Sequence, residues 1–189
     1  DVFLVEHGYA KSRSEAQAAI RAGGVRADGD RIEKPSQAVK ANVNIEYAKP
    51  HPYVSRGGVK LAAALEKFAL SPEDRICLDI GASTGGFTEV LLAGGAARVY
   101  AIDVGHGQLS GKIARDHRVV RRDGVNARDL SATHVPEAPN AIVADVSFIG
   151  LKLALPPALA MAAPGAWLVA LVKPQVEVGR FAVGKGGVV

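Results

Sequence analysis

The apolar positions of this 189-residue chain keep two rhythms, and the change between them divides it. Near the start, Ser12-Arg13-Ser14-Glu15 has the spacing of a capping box: the Ser12 hydroxyl accepts from the Glu15 N–H, and the Glu15 carboxylate returns to the cap. Ala16, Ala19 and Ile20 follow at helical spacing until Gly23-Gly24 stops the helix. Ahead of it, Val2, Phe3 and Val5 predict a short helix ending at Gly8. Behind it come Val25-Arg26-Ala27, an Asp28-Gly29 turn and Arg31-Ile32-Glu33, a hairpin signal, and then Val43, Ile45 and Tyr47 alternate as a strand. Lys49-Pro50-His51-Pro52 is a stiff break, because its prolines forbid helix. Beyond it the rhythm changes. Leu61, Leu65 and Phe68 keep helical spacing, and apolar runs predict strands at Ile76–Ile80, Arg98–Ile102, Arg118–Arg121, Ala141–Ala144 and Trp167–Val172. The intervals are long enough for crossover helices, so the expected fold is α/β: a doubly wound, Rossmann-like parallel sheet over 51–189, preceded by a small α+β domain over 1–50.

Composition narrows the class. A chain with 48% hydrophobic and 22% charged residues is globular and not disordered. Residues 1–60 carry 10 Lys and Arg against 7 Asp and Glu, the remainder 13 against 12, so most of the net charge of +4 sits in the first third. That places a polyanion-facing module there. The single Cys77 excludes an internal disulfide framework and suits a reducing cytoplasm, and its place inside an apolar strand marks it as a buried small hydrophobe. The five histidines show no metal-ligand spacing, so no metal is expected. Leu153 to Val172 lacks charge, but Pro156, Pro157, Pro164 and Gly165 break it. It reads as a short buried helix, a turn and a buried strand, not as a membrane span. No export signal is visible at Asp1.

The chemistry gathers at Cys77-Leu78-Asp79-Ile80-Gly81-Ala82-Ser83-Thr84-Gly85-Gly86-Phe87-Thr88, which reads as strand, tight turn and helix. Glycines let the backbone pass close to a ligand, and a helix start offers free N–H groups. Dinucleotide and adenosylmethionine folds share this layout, although Gly81-x-Ser83-x-Gly85 departs from the dinucleotide pattern at its second glycine. Asp79 on the first strand and Asp103 at the end of the second fit S-adenosylmethionine better. The expected cofactor contacts are Asp79, Gly81, Ser83, Gly85, Gly86, Phe87, Asp103 and Asp123, with Asp103 on a ribose. Asp103, Asp123 and Asp145 fall together where such a sheet offers its ligand edge.

The loop Asp145-Val146-Ser147-Phe148 lacks the Asn/Asp-Pro-Pro-Tyr sequence that resembling amine methyltransferases use, and no free thiol near it suits carbon methylation. An oxygen acceptor remains. A hydroxyl must be oriented in line and relieved of its proton, which a lysine flanked by acids at that edge can do. Lys173 follows the fifth strand, next to the strand that Asp145 ends.

Two resemblances extend this reading. Leu4-Val5-Glu6-His7-Gly8, the capping box through Ala16, Gly24-Val25 and the Asp28-Gly29 turn resemble the S-four-like (alpha-L) RNA-binding module, with Lys11, Arg13, Arg21 and Arg26 around the capped helix. Tyr53-Val54-Ser55-Arg56-Gly57-Gly58-Val59-Lys60-Leu61, the glycine loop, Asp145-Val146-Ser147-Phe148-Ile149 and Val172-Lys173-Pro174-Gln175 resemble the TlyA-type, FtsJ-like ribosomal RNA 2′-O-methyltransferases, historically labelled hemolysins. The resemblance implies S-adenosylmethionine as cofactor and ribosomal RNA or ribosomal subunits as partner, with Arg56 joining the RNA contacts. It also implies a Lys-Asp-Lys-Glu tetrad, whose first three members are Lys60, Asp145 and Lys173. Lys173 then lies nearest the hydroxyl proton, Asp145 orients it, and Lys60 steers the acceptor. Glu177 is expected to support its loop, and the 51–189 domain to lack the family's C-terminal strands.

Two other readings stand beside this one: a non-catalytic RNA-binding scaffold, and a membrane-active hemolysin, against which the absence of an unbroken span argues. Gly179 to Lys185 has P-loop spacing, but Gly186 stands where Ser or Thr would hold magnesium, so no nucleotide triphosphatase is implied.

Overall fold

A computed structural model of the chain describes residues 1–178 and 184, which fall into two units, Asp1–Pro52 and Tyr53–Val189. In the first, helices α1 (Val2–Glu6) and α2 (Arg13–Arg21) precede strands β1 (Val25–Ala27), β2 (Asp30–Arg31) and β3 (Ile45–Tyr47), arranged in the antiparallel order β2-β1-β3. The cap of α2 forms as its spacing predicts, with the Glu15 N–H donating to Ser12 Oγ at 3.2 Å. The Glu15 carboxylate, however, accepts from the Lys11 N–H at 2.8 Å, one residue before the cap. Asp28 (φ 52) and Gly29 (φ 89) both take the left-handed conformation that a two-residue hairpin demands. Strand β3 begins later than the alternation suggests, because the Asp28 carboxylate accepts the Asn44 N–H at 2.9 Å and closes the ladder beyond Val43. Leu4, Ala16, Ala19, Ile20, Val25 and Ile45 fill the small core.

The second unit opens with α3 (Arg56–Lys67). It then runs β4 (Ile76–Ile80), α4 (Gly86–Ala93), β5 (Arg98–Asp103), α5 (Gly111–Ala114), β6 (Val119–Asp123), β7 (Ala141–Ala144), α6 (Leu151–Ala154), α7 (Pro156–Ala160), β8 (Trp167–Ala170) and α8 (Pro174–Glu177). Every pairing in the five-stranded sheet is parallel, in the order β6-β5-β4-β7-β8. Alternate residues of the apolar runs supply two cores. Cys77, Val99, Ala101, Ala141 and Val143 pack with Leu61, Phe87 and Leu91, while Leu78, Ile80, Tyr100, Ile102 and Ile142 pack with Leu130, Ala154 and Ala158. The chain leaves β4 toward β5 and β6 and returns to the opposite side for β7 and β8, so the order reverses between β4 and β7. Ligands bind at such a reversal.

Three details differ from the sequence reading. The third strand of this sheet runs on to Asp123, so Asp123 closes β6 and does not follow it. The uncharged stretch holds two short helices in place of one, because Pro156 sits at a helix start, where its missing N–H costs nothing. Only Ala154 and Ala158 of those helices are buried, so they are surface elements and not a buried rod. Among the described residues no helix is long and apolar enough to cross a membrane. The P-loop-like spacing at 179–186 lies largely outside the described residues.

Candidate active site

At the end of β4 the chain must turn beneath a ligand edge without blocking it. Gly81 takes φ +86, and a Cβ there would stand 2.6 Å from the Asp145 carbonyl oxygen, so only glycine lets the two strand ends meet. The N–H groups of Gly81 and Ala82 both donate to Ile102 O, at 2.9 and 3.0 Å. Ser83, at φ 47, then donates its N–H to Asp103 Oδ2 at 2.7 Å, and Gly105 donates to Asp103 Oδ1 at 2.7 Å. Two backbone groups thus grip the carboxylate from either side. Each of its oxygens keeps a further lone pair.

The other loop positions do a different job. A side chain at Gly85 would meet Leu109 at 2.9 Å, and one at Gly86 would overlap Ser55 Oγ and lie 3.0 Å from the Gly58 N–H. These glycines therefore let α4 seat against its neighbours. Phe87 is buried in the core beside them. Asp79 also lies below the surface, 0% exposed, with Thr88 Oγ1 donating to its Oδ2 at 2.6 Å. Burial pushes its carboxyl up to about 7 against the pull of the Thr88 hydrogen bond, and the Asp145 and Asp103 charges add to the rise. It is a buried lock between β4 and α4 and not part of the cavity wall.

That cavity, of about 620 Å³, opens at the reversal point. Gly81, Ser83 and Asp103 form one side of it, and Asp145, Ser147 and Phe148 another; Val104, Val125, Ala127 and Leu153 supply apolar wall. Asp123 does not line it. Its carboxylate accepts the Gly107 N–H at 2.9 Å and pairs with Arg121 at 3.4 Å, bracing the loop after β5 from outside. Sequence reasoning missed Gln108, Asn126 and Arg128, which also line the cavity. Gln108 receives the Ser83 hydroxyl proton at 3.2 Å, and the small-residue run Gly105-His106-Gly107 after Asp103 is the signal that could have found it.

Lys173, at the start of α8, is not among the residues that line this cavity but reaches Asp145, which does. Its Nζ lies 2.5 Å from Asp145 Oδ1, with side chains 21% and 26% exposed. The two charges form an ion pair, and Oδ1 has no hydrogen-bond partner among the described residues. The ammonium instead donates to Ser147 Oγ at 2.7 Å. Beside them the Phe148 ring is 94% exposed at the cavity lip. Glu177, expected to support its own loop, lies on α8 and braces a different segment: its carboxylate accepts the Leu151 N–H at 2.9 and 3.2 Å at the start of α6. Lys60 is not drawn into this group. It stands exposed on α3, outside the cavity lining. Burial drives the Cys77 thiol up to about 12, so it stays protonated and inert. Among the described residues no cluster of His, Cys, Asp or Glu could hold a metal ion.

The basic positions of the first unit are all exposed. Arg13 pairs with Asp1 at 3.2 Å, Arg21 donates to Gln17 and Arg26 to the Gly29 carbonyl, whereas the Lys11 ammonium enters none of the ion pairs among the described residues. In the second unit Arg56 is the exposed first residue of α3.

Comparison with known proteins bears on both units. Residues 53–189 match the FtsJ-like methyltransferase family, and residues 1–45 match the S4 domain. The 16S/23S rRNA (cytidine-2′-O)-methyltransferase TlyA of Mycobacterium tuberculosis is 48% identical over 191 aligned residues, covering all of this chain and 71% of its own. Hemolysin A of Brachyspira hyodysenteriae is 44% identical over 190 residues, again covering all of this chain and 79% of its own. Among solved structures, a hemolysin-labelled protein of Streptococcus thermophilus superposes with a TM-score of 0.73 at 41% identity, covering 98% of this chain and 69% of its own.

Proposed function

This chain belongs to the FtsJ-like methyltransferase family, with an S4 domain ahead of the catalytic fold, and on that footing we propose that it methylates a ribose 2′-hydroxyl of ribosomal RNA. The methyl donor in this reading is S-adenosylmethionine, whose sulfonium supplies an electrophilic methyl and leaves as a neutral thioether. The residues present fit such a donor. Asp103 is held rigidly with lone pairs to spare for ribose hydroxyls, and the missing Cβ at Gly81 lets the β4 end pass close to the Asp145 carbonyl at the cavity. Val104, Val125 and Ala127 offer apolar surface to a flat base.

The observation that carries the reading is the Asp145–Lys173 pair beside that cavity, at the reversal of the sheet. A ribose hydroxyl is a weak nucleophile at neutral pH; its oxygen bonds the methyl carbon as the C–S bond breaks, and its proton passes to solvent water. An ammonium fixed by a carboxylate can hold the hydroxyl in line and stabilise the charge that grows on its oxygen. Asp145 keeps Lys173 in place, while the exposed Lys60 is free to steer the acceptor's phosphate. The Phe148 ring offers a platform on which an unstacked base can lie. A non-catalytic scaffold has no need of a partly buried lysine poised there. The S4 domain's exposed cations suit phosphate contacts that position structured RNA, and in this reading the protein works in the cytoplasm with its substrate.

The test is transfer of a labelled methyl group from S-adenosylmethionine to unmodified ribosomal subunits. Label in ribosomal RNA with the intact chain, and none with Lys173→Ala, supports the reading. Undiminished transfer by the variant contradicts the role given to Lys173, and no transfer by the intact chain contradicts the activity.

A further inference from the structure

The Asp145–Lys173 pair supplies attraction without direction. Their atoms meet at 2.5 Å as an ion pair in which Asp145 Oδ1 accepts no hydrogen bond, so the carboxylate alone does not fix where the ammonium points. Lysine is a point charge on a flexible stem, and a charge that must meet one hydroxyl in line needs a directional anchor. The bond with the right geometry goes to Ser147, whose Oγ accepts from Lys173 Nζ at 2.7 Å. Ser147 lies two residues beyond Asp145 on the same loop, is exposed, and lines the cavity, so its hydroxyl serves neither a helix cap nor the core.

We propose that Ser147 is a positioning residue for methyl transfer, which orients the Lys173 ammonium toward the acceptor hydroxyl. The proposal rests on the reading of Lys173 given above. Asp145 holds the charge in place, and Ser147 sets its direction. Losing Ser147 leaves the ion pair intact and the lysine free to swing, so both substrates bind as before and the chemical step slows.

Steady-state methyl transfer to unmodified ribosomal subunits tests this with Ser147→Ala, Ser147→Thr and Lys173→Ala. Ser147→Ala should lower kcat about tenfold to a hundredfold, the range expected for one hydrogen bond to a charged group. KM for cofactor and for RNA should stay within about twofold. Ser147→Thr keeps the hydroxyl and should restore kcat to within about threefold of the parent. Wild-type kcat in Ser147→Ala, a loss confined to KM, or a loss that threonine fails to restore overturns the proposal. Full activity in Lys173→Ala overturns the reading beneath it and the proposal together. An inactive Lys173→Ala beside a fully active Ser147→Ala overturns the proposal alone.

Discussion

On the Asp103 wall of the cavity the work is done by backbone: two N–H groups clasp the carboxylate at 2.7 Å each, two more donate to Ile102 O, and a glycine lets the strand ends meet. On the Asp145 wall the corresponding work falls to the side chains of Asp145, Lys173 and Ser147, with the Phe148 ring exposed beside them. A wall made of backbone is fixed as soon as the sheet forms, and it suits one invariant ligand. A wall made of side chains is aimed residue by residue. It can receive a large partner that brings its own shape, and single substitutions there should cost rate, whereas those opposite should cost cofactor affinity or stability.

The sharpest way to break this contrast is Lys173→Ala. It should reduce methyl transfer by roughly 10² to 10³, the usual range for loss of one donor aimed at developing charge, while calorimetry shows unchanged cofactor affinity. Equal damage to affinity would merge the two walls into one.

Asp79 tests the floor beneath the backbone wall. Its folded pKa, about 7, stands above the ordinary 3.8, so the folded state binds the proton more tightly than the unfolded chain does. Its contribution to stability is fully present below about pH 4 and is lost as pH rises through 7, a change on the order of a few kcal/mol. Asp79→Asn keeps an acceptor for Thr88 and removes the titration. Thermal melts of the parent should lose stability between pH 4 and 7 more steeply than those of the variant, and parallel curves would show that the carboxyl titrates normally.

Asp103→Ala should weaken S-adenosylmethionine binding by about tenfold to a hundredfold and leave RNA affinity alone. Phe148→Ala is expected to raise KM for RNA by about tenfold, within the range of one base-stacking contact, with the cofactor unaffected. Effects on the wrong substrate in either variant, read by titrating each ligand separately, would erase the distinction between the walls.

How much of this could be read in the sequence follows the same contrast. The central strands β4, β5 and β7 were legible as apolar runs because a parallel sheet covered on both faces buries almost all of their residues, while the edge strands β6 and β8 are only partly buried; the reversal of strand order placed the cleft. Gly81, Ser83, Asp103 and Asp145 were found because backbone geometry restricts residue type at strand ends. The glycine pattern could not reveal that it serves two purposes. Gly81 lets the β4 end meet the Asp145 carbonyl at the cavity, whereas Gly85, Gly86 and Phe87 serve helix packing, and only the neighbours that a Cβ would meet distinguish them. Asp123 shows the limit of register: it sits opposite Asp103 across the β5–β6 pairing, yet it accepts the Gly107 N–H outside the cavity lining. Ser147, Gln108 and Arg128 stayed hidden because their partners are set by loop paths that no periodicity encodes.

The central claim, that the oxygen activated beside Lys173 belongs to a ribose, is tested most directly by where the methyl group comes to rest. A 2′-O-methyl group removes the nucleophile that alkali needs to cleave the adjacent phosphodiester. After labelled transfer to ribosomal RNA and exhaustive alkaline hydrolysis, the account predicts that the label survives in dinucleotides. Label recovered in mononucleotides would place the methyl group on a base and contradict it.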